Sequence, residues 1–155
     1  MAVRNLEKFF RPERIAVIHS GTANDTVSTA LVRNMSASGF TGEVYIVGRE
    51  AKRIQGFESF PSVANLPNAV DLALVCGPAA EVPQIVRECG ESGIDAVLVT
   101  SGGFREIGPA GRDLELQMLR EAARFEGLRI LGPRSIGILV PHLNLNASLA
   151  AAQPK

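Results

Sequence analysis

Four short stretches rich in glycine, proline, serine and threonine could hold a phosphate-bearing ligand, and each follows an apolar run of strand type. Ser20-Gly21-Thr22 comes after Ile15-Ala16-Val17-Ile18, where hydroxyls and backbone N–H groups at a helix N-terminus can hold an anion. Gly77-Pro78, inside Cys76-Gly77-Pro78-Ala79-Ala80, makes a turn without bulk over which a flat or extended ligand could lie. In Thr100-Ser101-Gly102-Gly103-Phe104, two glycines and two hydroxyls allow close backbone approach. Gly132-Pro133-Arg134-Ser135-Ile136-Gly137 adds a guanidinium, a donor set suited to phosphate. A basic cluster, Arg49, Lys52 and Arg53, follows the second strand, where dinucleotide-binding folds place the acidic residue that reads ribose hydroxyls. Glu50 is the carboxylate nearby.

Each stretch also has a plain structural reading. Asn24 or Asp25 could cap the helix after the first turn, and an aspartate there would repel phosphate. Gly-Pro is a common loop, the third stretch could be a tight turn before a helix starting at Pro109, and Arg134 and the basic cluster could be solvated surface. The G-x-G-x-x-G dinucleotide fingerprint is absent, because His19-Ser20-Gly21-Thr22-Ala23-Asn24-Asp25 carries glycine only at Gly21. His19 and His142 lack an acid or nucleophile partner in sequence, and Ser101 and Ser135 lie outside any G-x-S-x-G elbow, so no catalytic residue is assigned. Cys76 and Cys89 have no C-x-x-C spacing and no metal set around them; they read as buried, reduced core residues.

The elements that must position these loops follow from periodicity. Short apolar runs at Ile15–Ile18, Glu43–Val47, Val70–Val75, Ala96–Val99 and Leu128–Leu131 suit strands covered on both faces. Helical spacing lies between most of them: Val27, Ala30, Leu31 and Met35; Val82, Ile85, Val86 and Cys89; Leu114, Met118, Ala122 and Phe125. Alternating strands and helices predict an α/β fold, Rossmann-like and doubly wound, with a mainly parallel sheet in a single three-layer domain over residues 1–155. The loops then gather at the sheet's carboxyl edge, where open α/β sheets bind ligands. Gly48 to Ala69, with Gly56, Pro61 and Pro67, reads as a loop holding one small Ser62-capped helix. Leu6, Phe9 and Phe10 before Pro12 read as a short amphipathic segment packed on the sheet, Ile138-Leu139-Val140-Pro141 as a further apolar run, and Ala150–Lys155 as a frayed tail.

The 155 residues suffice for one core without metal or disulfide support. Balanced charge, 16 basic against 16 acidic side chains, gives no electrostatic footprint for nucleic acid. No run approaches the roughly 20 apolar residues of a membrane span, and the charged start lacks a signal-peptide core, so a cytoplasmic protein is expected.

Several motifs resemble one family across nearly the whole chain. They are the Leu6-Glu7-Lys8-Phe9-Phe10-Arg11-Pro12 opening, Gly42-Glu43-Val44-Tyr45, Ser101-Gly102-Gly103-Phe104 and Gly132-Pro133-Arg134-Ser135-Ile136-Gly137, through to Leu145-Asn146-Ala147-Ser148. The chain is similar to the CoA-binding domain of NDP-forming acyl-CoA synthetases and, more distantly, to the alpha subunit of succinyl-CoA synthetase. The resemblance implies CoA as ligand, bound and oriented by this first domain, with a phosphohistidine in a following domain that has no counterpart here. It also implies further synthetase domains or subunits as partners, and leaves homo-oligomerisation open. The family's glycine, alanine and serine after the first strand align with His19, Ser20 and Gly21. Its asparagine and proline after the second strand align with Gly48 and Arg49, so Lys52 or Arg53 would supply the cation. The asparagine and cysteine of its Gly-Pro-Asn-Cys loop align with Arg134 and Ser135.

The leading expectation is therefore a CoA-binding domain of such a synthetase. A second is a degenerate Rossmann module with a scaffold or regulatory role, for instance joined to a protein acetyltransferase; His19, Asp25 and Arg134 are the substitutions behind it. A third, NAD(P) binding, is disfavoured by the missing fingerprint and by the basic cluster after the second strand, which favours a phosphorylated adenosine ribose over NAD. With CoA as ligand, the Ser20-Gly21-Thr22 backbone should lie beside a phosphate with His19 turned aside; His19 filling that space would mark a fold that lost its ligand.

Overall fold

The apolar runs at the centre of the sheet form strands buried on both faces, whereas the edge run at Arg129–Leu131 stays largely exposed. In the computed structural model, which describes residues 4–19, 26–48, 53 and 55–151, β1 is Arg14–His19, β2 Glu43–Val47, β3 Ser59–Phe60, β4 Leu72–Cys76, β5 Ala96–Val99 and β6 Arg129–Leu131. They form one six-stranded sheet in the order β3-β2-β1-β4-β5-β6, parallel throughout. The chain runs outward from β1 to β3 and then crosses back to β4 on the other side of β1. The topological switch point therefore lies between β1 and β4.

Side-chain alternation divides the sheet into two cores. One face, with Ala16, Ile18, Ala73, Val75, Val97 and Val99, packs against the helices α3 (Val82–Glu91) and α4 (Pro109–Ala123). The other, with Ile15, Val17, Ile46, Leu72, Leu74 and Leu98, is covered by α1 (Glu7–Phe10), α2 (Thr26–Ser38) and an antiparallel hairpin. The expected three layers are present. Phe9 is buried in the second core while Leu6 and Phe10 stay exposed, as an amphipathic opening segment requires.

Three details differ from the sequence reading. The strand expected over Val70–Val75 is shifted to Leu72–Cys76, and that over Leu128–Leu131 begins at Arg129. The stretch read as loop and small helix contains the helical turn Val63–Asn65, but also β3, a two-residue strand whose pairing with β2 no periodicity could announce. The last apolar run becomes β7 (Gly137–Val140), paired with β8 (Leu145–Ser148) in the hairpin that lies on α2. Asn34 on α2 fastens it, donating from Nδ2 to the carbonyls of Ser148 at 2.8 Å and Ala150 at 3.0 Å. Both cysteines are buried and neither is in a disulfide; Cys76 faces the α2 core and Cys89 the α3 core.

Among the described residues no helix is long and apolar enough to cross a membrane.

Candidate functional site

The loops after β4, β5 and β6 meet at the carboxyl edge, and Ser101 joins them. Its hydroxyl accepts the Gly77 N–H at 3.1 Å and its carbonyl accepts the Arg134 N–H at 3.1 Å. β5 lies between β4 and β6, so a residue just past its end can reach both neighbouring loops. Further bonds fix the spacing: Thr100 donates both its N–H and its hydroxyl to the Val75 carbonyl, each at 3.0 Å, and the Ser135 N–H reaches the Val99 carbonyl at 3.1 Å. The Ser135 hydroxyl accepts the Gly137 N–H at 3.2 Å. Pro78 leads directly into the helical turn Ala79–Glu81 that precedes α3.

Gly132 is what lets the last loop close down on β5. Its φ is 111°, and a Cβ there would sit 2.4 Å from the Val99 carbonyl oxygen, so a side chain is excluded on both counts. Two residues later Arg134 adopts a left-handed φ of 57° with a largely exposed side chain.

The loop after β5 already holds an anion, and it is the chain's own. Glu106 accepts the Gly103 N–H at 2.6 Å on one carboxylate oxygen and the Phe104 N–H at 3.2 Å on the other. Its Oε1 lies 4.0 Å from Arg134 Nε. The Gly103 N–H, with smaller help from neighbouring backbone and from Arg134, holds the Glu106 carboxyl below the usual carboxylate range. Two backbone donors and a guanidinium converging on one carboxylate form the kind of donor set that also suits a phosphate. Sequence reasoning assigned Glu106 no role. The available signal was its spacing, three residues past Gly103, which lets a carboxylate fold back onto the turn's backbone. Arg105 anchors the same segment to α4 by donating from Nε to the buried Glu115 at 2.9 Å, and this bond pulls the Glu115 carboxyl down.

The structure thus brings Gly77, Pro78, Ser101, Gly102, Gly103, Arg134 and Ser135 to one edge of the sheet, as the strand order requires. The predicted Ser20, Gly21, Thr22, Arg49 and Lys52 lie outside the described residues, as do Asp25 and Glu50; Arg53 is exposed. His19 ends β1 beside this edge, in register with Cys76 across the switch point. It is buried, and its ring lies against Gly48 just past β2.

A cleft of about 570 Å³ opens at the opposite, amino edge, lined in part by Arg14, Glu43 and His142. Arg14 and Glu43 pair there at 3.5 Å. Ligands of open parallel sheets bind outside the carboxyl ends, so the loop cluster, not this cleft, is the candidate site.

Comparison with known proteins points the same way. A family model described as a CoA binding domain matches residues 13–141. An ADP-forming acetate–CoA ligase I of Archaeoglobus fulgidus is 33% identical over 150 residues, covering 97% of this chain and 22% of the relative. The alpha subunit of the ADP-forming acetate–CoA ligase I of Pyrococcus furiosus is 35% identical over 148 residues, covering 93% of this chain and 32% of that subunit. Among solved structures, the apo form of a dinucleotide-forming acetyl-coenzyme A synthetase 1 from Candidatus Korarchaeum cryptofilum superposes with a TM-score of 0.85 at 32% identity, over 93% of this chain and 31% of that one. The chain spans between about a fifth and a third of the length of these relatives.

Proposed function

The chain belongs to the CoA binding domain family, and on that premise we propose that it binds CoA and presents it to the remainder of an NDP-forming acyl-CoA synthetase. The observation that carries this reading is the convergence of the family match with three ligand-type loops tied together at the carboxyl edge. Arg134 would meet phosphate oxygens, joined by the N–H groups of the loop after β5 once Glu106 is displaced from them. Gly77 and Pro78 would leave room for the extended pantetheine arm. Ser101 and Ser135 would hold the loops at the required spacing. The first turn, Ser20 to Thr22, and the cations Arg49, Lys52 or Arg53 would complete the contacts to the nucleotide end.

In that role the domain orients CoA and does not catalyse alone. The complete enzyme would convert acyl-CoA, phosphate and NDP reversibly into acid, CoA and NTP, with the phosphate carried by a histidine of another domain. The relatives named above are acetate–CoA ligases, one of them an alpha subunit, which supports further domains or a partner subunit as this chain's working context.

A second reading, a module that keeps the fold for a scaffold or regulatory role, draws on Glu106, whose carboxylate occupies donors a ligand would use. Calorimetric titration of the chain with CoA, NAD and ADP separates the readings. CoA binding without NAD binding is expected; no heat with CoA at millimolar concentration would sink the first reading for this chain and leave the second.

A further inference from the structure

His19 is the buried polar group at the switch point that the fold does not use. The residue is only 3% exposed, and among the described residues neither Nδ1 nor Nε2 has a hydrogen-bond partner. Native proteins pair nearly all such groups, so an orphaned imidazole beside a ligand crevice is a group available to a ligand.

The ring's direction indicates which part of a ligand it would meet. A Cβ built on Gly48 would lie 2.6 Å from Nε2 and 2.9 Å from Cε1, so the imidazole fills the place a side chain at the end of β2 would take. Gly48 is itself fixed, donating its N–H to the Phe60 carbonyl at 2.9 Å. In Rossmann-like folds the residue at the end of the second strand reads the nucleotide's ribose, through a carboxylate when both hydroxyls are unmodified and through a cation when one is phosphorylated. Here Gly48 has neither, and a nitrogen donor from the neighbouring strand stands at that position. A ring N–H matches a phosphate oxygen, which only accepts, and a basic sequence follows in Arg49, Lys52 and Arg53.

We propose that His19 is a specificity residue for the phosphorylated ribose of CoA: its ring turns from Gly48 and donates a hydrogen bond to the 3′-phosphate. The proposal rests on CoA being the ligand.

The test compares CoA with dephospho-CoA, which lacks that phosphate, by calorimetry on the full chain and on His19→Ala and His19→Asn. The native chain should prefer CoA by about tenfold or more, His19→Ala should lose most of that preference, and His19→Asn, which retains an N–H donor group, should recover part of it. In ¹⁵N-labelled native chain, the His19 ring nitrogens should shift on adding CoA and stay unmoved with dephospho-CoA. This second readout decides the matter should His19→Ala fail to fold. If the native chain binds CoA while His19→Ala keeps the same preference, or if the ring nitrogens respond equally to both ligands, the role of His19 is overturned and CoA binding stands. If the native chain binds neither ligand, both readings fall.

Discussion

Glu106 and Arg134 face each other across the loops that follow β5 and β6, their charged atoms 4.0 Å apart. The carboxylate is held from beneath by the N–H groups of Gly103 and Phe104, so the arginine meets a fixed charge rather than a mobile one. Removing the carboxylate by Glu106→Ala leaves both N–H groups to solvent. Hydrogen exchange at Gly103 and Phe104 should then accelerate by about tenfold, with Glu106→Gln falling between the two because its amide oxygen still accepts. Unchanged exchange in Glu106→Ala would mean that the carboxylate does not hold the loop.

Arg134 itself contributes little to folding, since its side chain is 65% exposed and its ion pair is long. Arg134→Ala should weaken CoA binding by about tenfold while leaving the urea midpoint of the chain within error. A large loss of stability with unaltered affinity would reverse that assignment.

Gly132 should be intolerant of any side chain. A Cβ 2.4 Å from the Val99 carbonyl oxygen, at a φ of 111°, must push the loop away from β5. Gly132→Ala should destabilise by about 3 kcal/mol, read from denaturant unfolding.

The α3–α4 pair predicts an acid-sensitive stability. Arg87 grips Glu121 with two bonds of 2.7 and 2.8 Å, and Arg124 adds a third. Arg87 first, then Arg124, hold the Glu121 carboxyl down to about 2, against an ordinary 4.5. A carboxyl depressed in the folded state stabilises fully above its unfolded value and loses that contribution as pH falls through the folded one. The urea midpoint of the native chain should therefore drop between pH 5 and pH 3. Glu121→Gln should flatten the drop, the remaining slope coming from the other depressed carboxyls, Glu43, Glu106 and Glu115.

Thiol chemistry offers a direct check on the two cores. Burial pushes the Cys89 thiol up to about 12, and Cys76 is 1% exposed. Neither should react with a disulfide reagent in the native chain, and both should react once guanidinium unfolds it.

Much of this architecture could be read in advance because burial on both faces of a parallel strand demands uninterrupted apolar residues. Ile15–Ile18 and Ala96–Val99 therefore announced themselves, and α3 did so through the helical spacing of Val82, Ile85, Val86 and Cys89. β3 could not, since Ser59 and Phe60 owe their strand geometry to β2 alongside them. β8 was hidden for a related reason: Asn146 and Ser148 are polar yet buried, Ser148 donating its hydroxyl to Asn146, and polarity there reads as loop. At the site, composition located the loops. Glu106 escaped because its part is played against backbone N–H groups, which carry no mark in a string of side chains. His19 was noticed for its lack of sequence partners, and its approach to Gly48 required the register of β1 on β2.

The double tie at Ser101 makes the lengths of three loops interdependent. An inserted residue after β4, β5 or β6 would pull the serine off one neighbour or the other, so none of these loops can grow without reshaping all three. At the amino edge the Ser92-Gly93 turn has, among the described residues, no such bond to another loop, and a Cβ at Gly93 would meet nothing within 4 Å. Variation in chain length is thereby admitted at this turn and opposed at the loops that would meet the ligand.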